Sequence, residues 1–126
     1  MRGYLGPAAL KPRKRNAPRA EWRVAEGFRQ WLRTRPCACA GRNPACAGKI
    51  EAAHVDHAGT KGMGLKVADA DCIPLSQACH RHQHSIGWRT FEGAYLPGPA
   101  PELANEYWQA WPGRIEWQRN LEKSHA

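Results

Sequence analysis

Apolar residues recur at helical spacing between Arg19 and Thr34, at Trp22, Val24, Ala25, Phe28, Trp31 and Leu32, with Arg19, Arg23, Arg29 and Arg33 among them. The pattern predicts one amphipathic helix over this stretch, stopped by Pro36, since the residue before a proline is pushed out of the helical region. Residues 1–18 show no apolar period and carry Pro7, Pro12 and Pro18, which predicts an extended or disordered arm. Cys37–Gly48 reads as a turn-rich knuckle. Lys49–Val55 and Ala70–Leu75 are short apolar runs that predict strands, joined through a glycine-bearing loop, Gly59–Gly64. Gln77–Ile86 is polar at helix-compatible spacing, and Gly87 supplies a C-cap.

Beyond Gly87, Thr90 and Glu92 open a short helical piece, and Leu96-Pro97-Gly98-Pro99 interrupts it. Pro101 starts a helix whose stripe is Leu103, Ala104, Tyr107, Trp108 and Trp111, ended by Pro112, and Ile115, Trp117 and Leu121 mark a last one. Five of the six tryptophans fall in or beside these flanking helices, where they are expected to build the core that a small metal module lacks.

Composition narrows the class. At 126 residues, 42% hydrophobic and 24% charged, the chain has the make-up of one globular domain, not of collagen, a long coiled coil or a disordered polymer. Its apolar runs are too short for a spanning helix or a secretory signal, which predicts a soluble, cytoplasmic protein with no membrane partner. The expected organisation is a basic arm over 1–18 and a single domain over 19–126.

Charge changes the picture more. Residues 1–35 hold ten Lys/Arg against two Asp/Glu, whereas the remainder holds nine of each, so the whole net charge of +8 lies at the front. Such a segment attracts polyanions through counterion release, which makes nucleic acid the first partner to consider, with Lys11, Arg13, Lys14 and Arg15 as phosphate contacts. The plainer reading is a solubilising tail.

Five cysteines are an odd number for a disulfide framework, and Cys37, Cys39 and Cys46 crowd together upstream of a histidine-rich stretch. With Cys79 they offer four thiolates for one tetrahedral structural Zn²⁺ pinning the knuckle to a helix start. Cys37 and Cys39 are closer in sequence than the usual pair, so one of them is open to being a spectator, and Cys72, in an apolar strand, reads as a buried thiol. His80 and His84, four apart on a helix, project from one face at a spacing that lets two imidazoles share a divalent ion. His54, at a strand end facing that helix, is placed as a general base held by a backbone carbonyl.

Ala53-His54-Val55, Lys61-Gly62-Met63-Gly64-Leu65-Lys66 with Asp69, Ile73-Pro74-Leu75, and Cys79-His80-x3-His84-x2-Gly87 together resemble the HNH endonucleases, in the phage- and prophage-encoded branch that includes the recombination-enhancing nuclease of phage P1. The likeness covers about residues 36–95 and leaves the arm and the C-terminal helices 101–124 outside it. It implies an α+β fold: a ββα-metal finger with a zinc knuckle, flanked by N-terminal and C-terminal helices. It further implies that His54 activates water, that His80 and His84 ligate a catalytic divalent cation (Mg²⁺, Mn²⁺ or similar), and that the cysteines hold structural zinc. Two departures stand out. Ala53 occupies a position where many members have a further metal ligand, for which Asp56 or His57 is the candidate substitute, and Ser76 stands where a second cysteine would pair with Cys79.

The expected activity is metal-dependent hydrolysis of DNA phosphodiester bonds, in phage recombination or DNA processing, with Lys61, Lys66 and Arg81 near neighbouring phosphates. Asp69 reads as a cap or orienting residue. Two alternatives are a zinc-stabilised DNA-binding module without catalysis, and a phage adaptor that docks a protein partner through its tryptophan-rich C-terminal helices.

Overall fold

The computed structural model describes residues 21–56 and 68–124. The fold is α+β: a two-stranded antiparallel sheet with five helices around it. After a 3-10 turn at Glu21–Arg23 come α1 (Glu26–Leu32), β1 (Ile50–His54) and a second 3-10 turn at Asp69–Asp71. β2 (Cys72–Ser76) leads directly into α2 (Gln77–Ile86), followed by α3 (Trp88–Tyr95), α4 (Ala100–Ala110) and α5 (Arg114–Ser124). No helix among the described residues is long and apolar enough to cross a membrane.

β1 and β2 pair with Ala53 opposite Ile73 and His54 opposite Cys72. Successive side chains in a strand point to opposite faces, so this register divides the molecule into two cores. Ala53, Ile73 and Leu75 face a core completed by Val55, Cys39, Cys79, Trp88, Phe91 and Leu96. Ala52 and Cys72 face the other, where Phe28 and Leu32 of α1 are enclosed by Trp31, Trp108, Trp111 and Trp117. Phe28 lies edge-on to Trp108 with ring centroids 5.0 Å apart, a favoured arrangement for two aromatic quadrupoles. The C-terminal helices thus close the core that the sheet cannot close alone.

Helix α2 starts where the pattern predicts, and its cap explains why. The Ser76 hydroxyl accepts from the Cys79 backbone N–H at 3.2 Å, satisfying one of the unpaired donors of the first turn. Gly87, with φ at +87°, ends the helix in a conformation that disfavours a side chain.

The amphipathic helix expected over Arg19–Thr34 is shorter than its periodicity suggests. Ala25 leaves the helical region because its N–H donates to the buried carboxylate of Asp69 at 2.8 Å, so a tertiary hydrogen bond breaks the run into a 3-10 turn and α1. Trp22 and Val24 are consequently exposed instead of packed. The second strand also begins at Cys72, later than the expected Ala70, since Asp69–Asp71 turn to place Asp69 inward and the Asp71 carbonyl on the Val55 N–H. The arm 1–18, the glycine loop 59–64 and the start of the expected N-terminal helix lie outside the described residues.

Candidate functional site

Two groups of cysteine and histidine side chains gather around α2. The first is the knuckle. The Sγ atoms of Cys37, Cys39, Cys46 and Cys79 all lie within 4.8 Å of one another. Four thiolates about 2.3 Å from one zinc ion sit about 3.8 Å apart at tetrahedral angles, so the cluster needs only a small contraction to close on the metal. Both cysteines of the close Cys37/Cys39 pair belong to it, and Cys72 is buried in the second core.

Local geometry makes this cluster. The chain turns through positive φ at Ala40 (+52°) and Gly41 (+81°), folding Cys39 back beside Cys37. The Ser76 N–H donates to Cys37 Sγ and the Asn43 amide to Cys79 Sγ, each at 3.2 Å, while the Cys46 thiol donates to Ser76 Oγ at 3.1 Å. Ser76, which occupies the position of an expected cysteine, therefore caps α2 and contacts two of the thiols instead of ligating. Gly48 brings the end of the knuckle against α2: a Cβ built there would lie 2.9 Å from Gln77 Cβ, and its φ is +95°.

The thiols differ in acidity. Burial pushes Cys37 up to about 12 and also raises Cys79. Burial works upward on Cys39 as well, but hydrogen bonds from the backbone at Asn43 and Gly41 and from the neighbouring thiols outweigh it and hold Cys39 at about 7.

The second group is a cleft of about 580 Å³ running from α1 to α2 across β1, lined by Arg29, Ala52, His54, Asp56, His80, Gln83, His84, Gly87 and Trp88. His80 Nδ1 lies 2.8 Å from Glu51 Oε1. A carboxylate oxygen accepts, so Nδ1 carries a proton, and in the neutral ring Nε2 keeps its lone pair. That Nε2 is 3.3 Å from His84 Nε2. Two nitrogens each about 2.1 Å from a shared ion stand about 3.0–3.4 Å apart for angles between octahedral and tetrahedral, so the pair is spaced for one ion.

His54 closes the cleft at the end of β1. Its orienting partner is not the backbone carbonyl expected from the sequence but a carboxylate: His54 Nε2 donates to Asp69 Oδ1 at 3.0 Å. Asp69 is 1% exposed, so the ring is anchored from inside the protein, and in the neutral ring Nδ1 is the nitrogen with a lone pair. The reason is topological, since the turn before β2 carries Asp69 alongside the strand partner of His54.

Among the described residues, the cysteines form the one group of three or more donors close enough to hold an ion together, and the histidines contribute a pair. Asp56 lines the cleft, and Arg81 is exposed on α2. His57, Lys61, Lys66, Lys11, Arg13, Lys14 and Arg15 lie outside the described residues. The sequence pattern assigned no site role to Glu51, Asn43 or Arg29. Glu51 and His80 are 29 residues apart, and only the strand register brings them together.

A family model described as a protein of unknown function, DUF968, matches residues 13–105, a span that holds both the knuckle and the cleft. No curated protein and no solved structure matches the chain.

Proposed function

The chain belongs to the DUF968 family, and we propose that it is a zinc-stabilised, metal-dependent endonuclease of the HNH type that hydrolyses DNA phosphodiester bonds. The observation that carries this reading is the meeting of His80 and His84 Nε2 at 3.3 Å, with His80 backed by Glu51, in the same cleft as a carboxylate-anchored His54. A zinc site with four sulfur ligands is closed and serves the fold, whereas a two-imidazole site leaves positions for water and phosphate. In this reading β1, β2 and α2 form the ββα-metal finger.

A divalent ion held by His80 and His84 would supply Lewis acidity at the phosphate and stabilise the leaving 3′ oxygen. The chain's own groups do the rest. His54 Nδ1 takes a proton from the attacking water, and the Asp69 carboxylate, hydrogen-bonded to Nε2–H, fixes the tautomer and stabilises the imidazolium that forms. Glu51 holds His80 in the tautomer that directs its Nε2 into the cleft. The concentration of positive charge over residues 1–35 favours a polyanionic substrate and supports DNA as the partner.

Conversion of supercoiled plasmid to the open-circular form with added Mg²⁺ or Mn²⁺, abolished by chelator, is the expected result. A protein that retains its zinc and binds DNA without nicking it under any divalent ion would instead be a non-catalytic DNA-binding module, a reading favoured by Ala53 standing where a further ligand is expected.

A further inference from the structure

We propose that Arg29, on α1 and outside the strand–strand–helix unit, binds a phosphate of the nucleic-acid backbone in the histidine cleft. The inference rests on the reading of that cleft as a phosphodiester site and adds to it a cation from another part of the chain. Among the described residues, Arg29 is the Arg or Lys that lines the cleft, which also holds His54, His80, His84 and the carboxylate of Asp56.

Its hydrogen bonding is incomplete. Nη1 donates to Glu26 Oε1 at 3.2 Å, while Nε is buried and has no acceptor. An unsatisfied buried donor on a fixed positive charge is destabilising, and a phosphate oxygen is the acceptor a guanidinium fork takes best. The side chain is 31% exposed, so a turn of the guanidinium toward the cleft is open to it.

The position of Arg29 is tied to the chemistry by a short chain of hydrogen bonds. Asp69 accepts from His54 Nε2 on one oxygen and from the Ala25 N–H on the other. The Arg29 N–H in turn donates to the Ala25 carbonyl at 3.2 Å. One buried carboxylate therefore registers both the proposed base and the helix turn that carries the cation.

Arg33 provides the internal control. It pairs with the same Glu26 at 3.3 Å and is 40% exposed, but it does not line the cleft. Binding of a fluorescein-labelled DNA duplex to the full chain, followed by anisotropy across a salt series without added divalent ion, separates the two. Arg29→Gln should flatten the log–log salt slope by about 0.9, the value of one lost phosphate contact, and Arg33→Gln should leave it unchanged. A wild-type slope in Arg29→Gln, or an equal loss in Arg33→Gln, would overturn the proposal.

Should Arg29→Gln lose its zinc or its cooperative melting, the wild-type chain decides: the Arg29 Nε–H resonance should shift in step with saturation by the same duplex, and a resonance that does not move overturns the assignment. The slopes stand apart from catalysis. A wild-type chain that never nicks removes the endonuclease reading while the salt series still tests Arg29, and active nicking with unaltered slopes removes Arg29 alone.

Discussion

Helix α2 contributes to two side-chain groups, a cluster of four thiols and a pair of imidazoles, that differ in nearly every respect. At its first turn Cys79 joins three other thiols, and backbone and side-chain groups reach their sulfurs from Ser76 and Asn43. Immediately afterwards His80, and one turn later His84, meet in an open cleft, with Glu51 as the outer partner. The knuckle supplies the four donors that a tetrahedral ion takes, so an ion held there would keep no position for a substrate. The histidine pair offers only two donors, so an ion bound there, as proposed, would keep positions for water and phosphate. One helix places both because adjacent positions are about 100° apart around it, so Cys79 faces the core while His80 faces the cleft.

The contrast breaks most visibly at the knuckle. Cys79→Ser should abolish stoichiometric zinc in elemental analysis of protein purified without added metal, and cooperative unfolding with it, because zinc binding contributes folding free energy directly. Zinc loading must also expel protons, since burial holds Cys37 at about 12 and raises Cys79 above its usual value, while Cys39 sits at about 7. Protons compete with the metal for these sulfurs. Retention should therefore fall as the pH is lowered, read as release to a chromogenic zinc indicator; retention that increases toward acid would contradict thiolate ligation.

At the cleft the expected losses are kinetic. His54→Ala should reduce nicking by about 10² to 10⁴ while keeping zinc and DNA affinity, as removal of a general base does. His84→Ala should reduce nicking and also weaken binding of the added divalent ion, measured by titration calorimetry. If His54→Ala weakens the ion as much as His84→Ala does, His54 is a ligand and not the base.

The outer partner is the next test. Glu51→Gln keeps the shape of the side chain but removes the charge that holds His80 Nδ1–H. Ion affinity or nicking should fall by about 10- to 100-fold, as for other carboxylates behind a metal-bound histidine. The structural zinc should be untouched. Equal loss of both metals would mean that the two groups are not independent.

How much of this was legible in the chain follows from the range of each interaction. The α2 boundaries could be read because Ser76 and Gly87 act locally, on groups within one helical turn. The four thiols were identifiable by type and number, although their spacing left Cys39 and Cys72 open. By contrast, Asp69 reaches Ala25 across 44 residues and breaks a helix whose periodicity is continuous, so no local pattern shows it. The same carboxylate replaces the backbone carbonyl expected behind His54. Arg29 looked like one more charge on a polar face because the cleft it lines exists only after α1 packs on the sheet.

Two backbone positions in the knuckle sharpen the comparison at the level of stability. Gly48→Ala should lower the melting temperature without changing the order of activity among cleft variants. The new Cβ meets Gln77 Cβ at 2.9 Å and forces a side chain into positive φ, which by itself costs about 1–2 kcal/mol.

Ala40 offers the opposite change and the smallest effect. Its φ of +52° places an L side chain in the left-handed region, within the turn that folds Cys39 back beside Cys37. Alanine there carries a steric cost of about 1–2 kcal/mol that glycine avoids, while glycine gives back part of the gain because its unfolded chain has more freedom to lose. The net expectation for Ala40→Gly is stabilisation of about 1 kcal/mol or less, visible as a small rise in melting temperature of the zinc-loaded protein. Since Ala40 is exposed, the substitution removes little packing, and nicking should be unchanged. A clear fall in melting temperature would mean that the alanine methyl makes a contact outweighing the strain, and that the turn is held by its side chains more than by the backbone and the metal.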